Sequence, residues 1–404
     1  MNKKYALLTV FLVVLVDLMG FGIVLPLLPF YASKFDASAL TIGLLYSVYS
    51  FAQLIFSPFW GSLSDRIGRR PVMLVSTLGA SVAYLLFAFS GSLWVLFLSR
   101  LLAGIMGGNI STAQAYIADV TTEDNRAKGM GMLGAAFGIG FVAGPAISSI
   151  MMHGNSEASY IWPGLIAAGL SAMSFFLVVF FLPETVQPGS KVADDATRVQ
   201  RLSIFSRGFW VFMRDSKSGL LPTLLICVLL LSIGQSSLYS AFPLYCKAAL
   251  SLTPRDVGMQ FVYMGLVAIV IQGGLIRRLV KRFGEKKLFL AGNILMIAGL
   301  ALIPLAWSKL SLTLILCLMG VGGSLNGPTI TSLISKEAKP GAVGRVMGCS
   351  QGFSALGRVI GPAWGGVLFS ASPKLPFFLT ASLLAITVFF GLQVHDSIDS
   401  ATSV

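Results

Sequence analysis

Two ionisable residues, Asp17 and Arg100, lie deep inside long apolar stretches of this chain. Charge is costly in hydrocarbon, so an ionisable residue at such a position is a functional candidate by default. We expect Asp17 to bind a proton or a cationic substrate group; the alternative is a structural acid that a neighbouring helix satisfies. Arg100 is the candidate counter-ion of Asp17. A pair that breaks when Asp17 binds a proton would act as a proton-coupling switch.

A third charged residue, Arg358, lies within another apolar stretch, three residues before Gly361. It is expected to bind an anionic or zwitterionic substrate group, to pair with Asp17, or to bond to backbone carbonyl groups, and the sequence leaves these open. Polar residues at similar depth are candidates for lining a substrate cavity, although hydrogen bonding between helices is the commoner role of each. The substrate-binding candidates are Asp17, Arg358, Gln53, Asn109, Gln235 and Gln272.

A strongly charged turn, GSLSDRIGRRP, joins two apolar stretches at residues 61–71. Charges of both signs at this density are costly beside hydrocarbon, so the turn is expected at a water-facing surface. Its glycines allow a sharp reversal, and Pro71 suits the first turn of a following helix. The charged residues are Asp65, Arg66, Arg69 and Arg70.

The composition indicates a polytopic membrane protein. Of the 404 residues, 55% are hydrophobic and only 11% are charged, whereas soluble domains carry about 25% charged residues. The formal net charge of +13 does not indicate nucleic-acid binding, because the basic residues are spread over short loops. The positive-inside rule explains this excess more simply.

No catalytic motif emerges from the sequence. The four cysteines lie in or beside apolar stretches without C-x-x-C spacing, so neither a disulfide framework nor a metal site is expected. The two histidines are isolated, and there is no phosphate-binding loop for an ATP-driven motor. The chain is therefore expected not to be an enzyme and to need no cofactor.

Twelve segments have the length that a membrane span needs, about 20 residues. The longest hydrophilic segment, 184–217, is the natural linker between six-helix halves at 1–183 and 218–404. The sequence therefore predicts an all-α polytopic membrane protein with twelve transmembrane helices. The predicted spans are 6–30, 41–61, 71–90, 93–118, 128–152, 160–182, 219–245, 256–276, 288–307, 310–335, 343–370 and 375–394.

Basic residues give the orientation of these spans. If the amino terminus is cytoplasmic, about 22 lysines and arginines fall on that side and about 5 on the other. Both termini and the linker are therefore predicted to be cytoplasmic, in a multi-pass protein of the cell (inner or cytoplasmic) membrane. Lys128, Gly131, Gly144 and Pro145 recur at a constant offset as Arg345, Gly348, Gly361 and Pro362. This recurrence indicates related halves.

The turn at 61–71 resembles the loop between spans two and three of the major facilitator superfamily. Within that superfamily, the run from Asp17 to Pro29 and the glycine-rich run from Gly138 to Pro145 resemble the tetracycline/proton antiporters and their multidrug relatives. The resemblance implies a major facilitator fold and export in exchange for protons. It also implies a gate of interhelical charges; the alternative is a set of solvated charges worth under about 1 kcal/mol per pair. Apart from the resemblance, a proline inside an apolar segment permits a bend of the helix. The gate residues are Asp65, Arg66, Arg69, Arg70, Asp119 and Arg345, and the helix-bending residues are Gly140, Gly144, Pro145, Gly361 and Pro362.

The second half departs from the tetracycline exporters. They carry a histidine in the eighth span, one turn before a glutamine matching Gln272, and Ala268 stands at that position here. They also carry an acid in the ninth span, which aligns with Met296. The loss of both groups argues against tetracycline as the substrate. The second copy of the charged turn places Lys281 and Glu285 at the positions of Asp65 and Arg69, so only the first copy is expected to form the gate with Asp119.

The leading hypothesis is a secondary active transporter that exports small amphipathic, drug-like compounds in exchange for protons by alternating access. Its energy source would be the proton gradient, and its partners would be a small-molecule substrate, protons and the lipid bilayer. The alternative is a symporter or facilitator of an anionic or zwitterionic metabolite, in which Arg358 would contact a carboxylate or phosphate. A third possible class of function is a membrane sensor or scaffold that transports nothing. The chain is expected to be a monomer.

Overall fold

The computed structural model describes residues 3–121, 123–152, 158–186, 220–338 and 343–393, and all regular structure in these ranges is helical. A π-helical turn follows α9 at Ile271–Leu275, and a 3₁₀ turn follows α11 at Ile303–Leu305. The helices are α1 (Lys3–Ser33), α2 (Ala39–Ile67), α3 (Arg69–Ala88), α4 (Leu93–Met106), α5 (Asn109–Val120), α6 (Glu123–Met151), α7 (Ala158–Phe181), α8 (Leu221–Leu250), α9 (Pro254–Val270), α10 (Ile276–Phe283), α11 (Glu285–Leu302), α12 (Lys309–Glu337), α13 (Val343–Ala371) and α14 (Leu375–Gln393).

Eleven helical segments in the described ranges are long and apolar enough to cross a membrane. Two of these are composite: α4 and α5 form Leu93–Val120, and α9, the π turn and α10 form Pro254–Phe283. The remaining predicted span, 343–370, folds as α13, which has 29 residues and therefore sufficient length. Its many glycines and serines, together with Arg358, make it less apolar than the other segments.

Serine side chains begin several of these helices. Ser38 accepts a hydrogen bond from the Thr41 amide at 3.2 Å at the start of α2. Ser92 accepts one from the Val95 amide at the start of α4. Ser308 and Ser311 form a reciprocal capping box at the start of α12. These caps satisfy amide groups that a helix leaves without partners in its first turn.

The described helices group into two compact units. The first holds α1–α7 and the segment Tyr239–Val262, and its core is a cluster of buried aliphatic residues from α1 with Met73, Tyr116, Ala136 and Val178. The second holds the first part of α8 and the helices from Tyr263 onward. In that unit Ile271, Leu288 and Leu325 form a buried apolar cluster.

Glycines allow α1 and α6 to approach closely within the first unit. Gly144 lies against the backbone of Gly22, and Gly22 in turn lies against Gly140 and Pro145. In the second unit, Gly361 of α13 lies against Ser236 and the backbone of α8. Pro145 and Pro362 each lie inside a continuous helix. A bending role for these residues stays a prediction.

Candidate functional site

The charged turn is a very short connection between α2 and α3. Gly68 is the single residue between Ile67, which ends α2, and Arg69, which begins α3. Its φ of 104° and ψ of 156° lie in a region that is accessible essentially only to glycine. The turn therefore places Arg69 at the first position of a helix, directly beside the last turn of α2.

Arg69 connects both sides of this turn to α5. Its Nη1 lies 2.5 Å from Asp65 Oδ1 and donates to Ser64 Oγ at 2.7 Å. Its Nε donates to Asp119 Oδ2 at 3.0 Å, across 50 residues of sequence. Arg69 itself is buried. The structure thus brings together three of the predicted gate residues, Asp65, Arg69 and Asp119.

Glu184 and Thr185, just after α7, complete this group, although neither is among the predicted gate residues. The Arg69 amide donates to Glu184 Oε1 at 2.8 Å, and the Arg70 amide donates to Oε2 at 3.0 Å. The Thr185 hydroxyl donates to Asp119 Oδ2 at 3.0 Å. A carboxylate here satisfies the first amides of α3 and complements the positive end of the helix dipole. We call Asp65, Arg69, Asp119 and Glu184 the hairpin cluster.

The other predicted gate residues differ in their surroundings. Arg70 Nη2 donates to the Val179 carbonyl at 2.6 Å, which ties α3 to α7. Arg66 is exposed, and the described residues offer it no ion pair. The Arg345 side chain lies outside the described residues, so its place in the gate stays a prediction.

The corresponding turn of the second unit carries a pair of opposite polarity. Gly284, with φ 77°, joins α10 to α11, and Glu285 then begins α11 as Arg69 begins α3. Glu285 Oε1 lies 2.6 Å from Lys336 Nζ of α12 and accepts from Ser332 at 3.0 Å. In the first unit the base lies on the turn and the acid on the neighbouring helix; in the second unit these positions are exchanged.

Asp17 lies near the middle of α1, far from both helix ends, and remains partly exposed. The Asn109 amide at the start of α5 lies beside its carboxyl group. Asn109 is fully buried, and neither its amide oxygen nor its nitrogen has a well-formed hydrogen bond within the described part of the chain. A buried amide in this state is unusual and marks a site with unused hydrogen-bonding capacity.

Arg100 lies among aromatic rings. Its guanidinium carbon is 4.8 Å from the Phe87 ring centroid and 5.7 Å from that of Tyr84. Tyr46 and Tyr49 also lie close to it. Arg100 is 2% exposed, and its Nη2 finds no hydrogen-bond partner among the described residues. Cation–π contacts thus replace ion pairing around this buried charge.

No ion pair joins Asp17 to Arg100 within the described residues. Tyr84 of α3 instead lies close to both: its ring centroid is 5.7 Å from the Arg100 guanidinium carbon, and its hydroxyl packs against Gly20, three residues after Asp17 on α1. The direct pairing that the sequence suggested is therefore absent from this conformation. Tyr84 is the residue between them that sequence reasoning missed.

A group of aromatic side chains surrounds Phe21, which lies one turn beyond Asp17 on α1. The ring centroid of Phe21 is 5.1 Å from that of Tyr49 and 5.8 Å from that of Phe141. Tyr239 lies 6.0 Å from Phe21. A carboxyl group beside several aromatic rings can recognise an apolar molecule that carries a positive charge.

The remaining substrate candidates lie in varied settings. Gln53 Nε2 donates to the Gly107 carbonyl at 3.0 Å, where α4 gives way to α5. Gln235 of α8 and Gln272 in the π turn are exposed and belong to the second unit. Arg358 is partly exposed, and its Nη1 donates to Ser354 Oγ at 3.0 Å. Substrate contact by each stays a prediction.

Comparison with known protein families gives a match over almost the whole chain. The family model described as Major Facilitator Superfamily matches residues 10–281 and 224–401. The tetracycline resistance protein, class B, of Escherichia coli is 33% identical over 401 residues, which cover 95% of this chain and 96% of the relative. Multidrug resistance protein 2 of Bacillus subtilis is 28% identical over 389 residues, covering 94% and 93% of the two chains.

Solved transporter structures have the same fold. The human organic anion transporter MFSD10 (TETRAN) is 25% identical, with a TM-score of 0.69 and coverage of 97% of this chain and 100% of that one. A bacterial homolog of the human lysosomal transporter Spinster, in an inward-facing and occupied conformation, has a TM-score of 0.76 at 12% identity. It covers 97% of this chain and 96% of its own, and at this identity the likeness concerns the fold alone.

Proposed function

The chain belongs to the major facilitator superfamily, and from this we propose that it exports small amphipathic compounds in exchange for protons. Membership makes it a multi-pass membrane transporter of a small-molecule substrate rather than an enzyme. The observation that carries the proposal is the setting of Asp17, a partly exposed acid deep in α1 with Asn109 and the aromatic rings around Phe21 beside it.

In this proposal Asp17 binds either a proton or the positive charge of the substrate, but not both. Proton binding removes the negative charge that attracts a cationic compound, so each cargo displaces the other. Tyr84 lies close to both Asp17 and Arg100, so it can transmit the charge state of Asp17 to Arg100. The aromatic rings would supply the apolar contact for the rest of the substrate.

We further propose that the hairpin cluster holds the cytoplasmic side in one state of the alternating-access cycle and breaks in the other. Its support is the number of elements that it joins, since α2, α3, α5 and the segment after α7 all meet at Arg69. The cytoplasmic position of this turn and of both termini rests on the distribution of basic residues.

Inverted membrane vesicles that contain the protein test the exchange. Compounds are first screened by thermal shift, with ethidium as an aromatic cation and tetracycline alongside, because ligand binding raises the unfolding midpoint. A hit added to acidified vesicles should release protons. Asp17→Asn should abolish this release, whereas Asp36→Asn, which alters an exposed loop acid, should leave it unchanged. Unchanged exchange in Asp17→Asn would exclude the proton-carrying role.

A second candidate is the transport of organic anions. It is favoured by Arg358, the basic residue near the middle of α13, and by the similarity to the human organic anion transporter. The same vesicles separate the two proposals. An anion carrier would respond to carboxylates rather than to ethidium, and a symporter would take up protons together with its substrate.

A further inference from the structure

The short helix α10, at the end of the composite segment Pro254–Phe283, is strongly amphipathic. With 3.6 residues per turn, its four basic residues fall within an arc of about 140°. Ile276, Leu279 and Val280 lie on the opposite side and pack against the apolar cluster of the second unit. We call the four residues the basic face; they are Arg277, Arg278, Lys281 and Arg282.

The basic face is directed away from the protein. All four residues are exposed, and the described residues provide no carboxylate partner for any of them. The nearest acid along the chain, Glu285, is buried and already paired with Lys336. Within the described part of the chain, four positive charges therefore remain without a carboxylate at the end of a segment long and apolar enough to cross a membrane.

In the matching turn of the first unit, two of the three arginine side chains have partners within the protein. There Arg69 is held by Asp65 and Asp119, and Arg70 donates to the Val179 carbonyl. Only Arg66 is left exposed without an ion pair among the described residues. A role shared by both turns, such as closing the cytoplasmic side, therefore does not account for the basic face of α10.

Exposed apolar residues lie at both ends of the basic face. Leu275 is 41% exposed and Phe283 is 44% exposed, and the Arg282 guanidinium carbon lies 5.3 Å from the Phe283 ring centroid. Cations beside apolar side chains at the end of a membrane segment match the boundary between lipid headgroups and acyl chains. This combination selects a ligand with an anionic head and an apolar body.

We propose that the basic face of α10 is a docking surface for anionic phospholipid headgroups. The phosphodiester oxygens would contact Arg278 and Arg282, which are one turn apart, and the acyl chains would lie along Leu275 and Phe283. The proposal does not depend on the transported substrate. A purely topological role for the charges would require no bound lipid, so the two roles are separable.

The test uses the purified full-length chain in a neutral detergent with an equimolar mixture of phosphatidylglycerol and phosphatidylcholine. Native mass spectrometry gives the ratio of the two lipids that remain bound. We expect the wild type to retain phosphatidylglycerol preferentially. Arg278→Gln/Arg282→Gln should lower the ratio about tenfold or more, since each surface charge contributes about fivefold. Salt near 0.5 M should also lower it, because exposed charges are screened.

Two matched variants complete the experiment. Lys309→Gln/Lys374→Gln removes the same charge from exposed positions elsewhere and should keep the wild-type ratio. Arg278→Lys/Arg282→Lys keeps the charge and should keep most of the preference. The thermal unfolding midpoint in detergent alone verifies that each variant is folded. An equal ratio for the wild type and Arg278→Gln/Arg282→Gln would overturn the proposal, as would an equal loss in the control.

Discussion

The backbone amide of Arg69 donates to Glu184 Oε1 at 2.8 Å, although the two residues are 115 positions apart. The contact places a carboxylate at the first turn of α3, and the same carboxylate accepts from the Arg70 amide. The side chain of Arg69 meanwhile binds Asp65 and Asp119. One residue therefore joins the turn to α5 through its side chain and to the end of α7 through its backbone.

Gly68→Ala should destabilise the protein more than Gly284→Ala does. Both glycines have a positive φ and an extended ψ, so an added Cβ should cost of order 1–3 kcal/mol at either position. At Gly68 the new atom would also collide with the Glu184 carboxylate, whereas nothing lies within 4 Å at Gly284. The thermal unfolding midpoints of the two variants measure the difference. Equal shifts would show that Glu184 does not constrain the turn.

Arg69→Lys should destabilise the hairpin cluster despite keeping the charge. Arginine reaches Asp65 and Asp119 through two different nitrogens, Nη1 and Nε, and one lysine ammonium cannot reproduce this fork. We expect a loss of about 1.5–3 kcal/mol, the range for hydrogen bonds to charged groups. Arg66→Lys is the matched control, since Arg66 is exposed, and should change the unfolding midpoint little.

Glu184→Ala should weaken the start of α3, with Glu184→Gln intermediate between it and the wild type. Removal of a capping side chain costs about 0.5–2 kcal/mol, and the alanine variant loses both oxygens. The glutamine keeps one acceptor but presents an NH₂ group where an amide donor now points. Amide hydrogen exchange at Arg69 and Arg70 would report the local effect. Unaltered protection in the alanine variant would contradict it.

The fold was largely predictable, because apolar length and charge distribution determine which segments can cross a membrane. The all-α fold and the family were predicted correctly. The break between α4 and α5 was not expected within the predicted span 93–118. Gly107 and Gly108 stand at this break, and Trp60 lies against Gly108. Packing of this kind between distant segments leaves no periodic signal in the sequence.

The candidate site was predictable in its residue types but not in its pairings. Asp65, Arg69 and Asp119 come together, and the turn itself indicated their importance. Asp17 and Arg100 are not directly paired, because aromatic rings surround the guanidinium group. The sequence cannot reveal whether Arg100 forms an ion pair or cation–π contacts, since the same arginine side chain can do either. Glu184 is the first residue of the predicted linker, but its partners are two backbone amides, and no residue type in the sequence identifies such partners.

The glycine contact between α1 and α6 provides a separate test of how tightly the helices beside Asp17 must pack. Gly144→Ala should place a methyl group against the backbone of Gly22 and the carbonyl of Met19. Neither atom belongs to a flexible side chain, so one helix has to move away from the other. Overpacking of this kind costs about 1–3 kcal/mol. Because α1 carries Asp17, we expect reduced proton exchange as well as a lower unfolding midpoint.

Gly138→Ala is the matched control for this variant, since it lies on the same helix with nothing within 4 Å of the added methyl group. Alanine also has the higher helix propensity, so Gly138→Ala should be neutral or slightly stabilising. The comparison of the two variants cancels the effect of helix propensity, so the remaining difference reports the contact with α1. If both variants unfold at the same temperature and exchange protons equally well, close packing of α1 on α6 is not what Gly144 provides. A loss of stability and of proton exchange in Gly144→Ala alone would instead show that α1 must pack on α6 as closely as glycine allows for Asp17 to function.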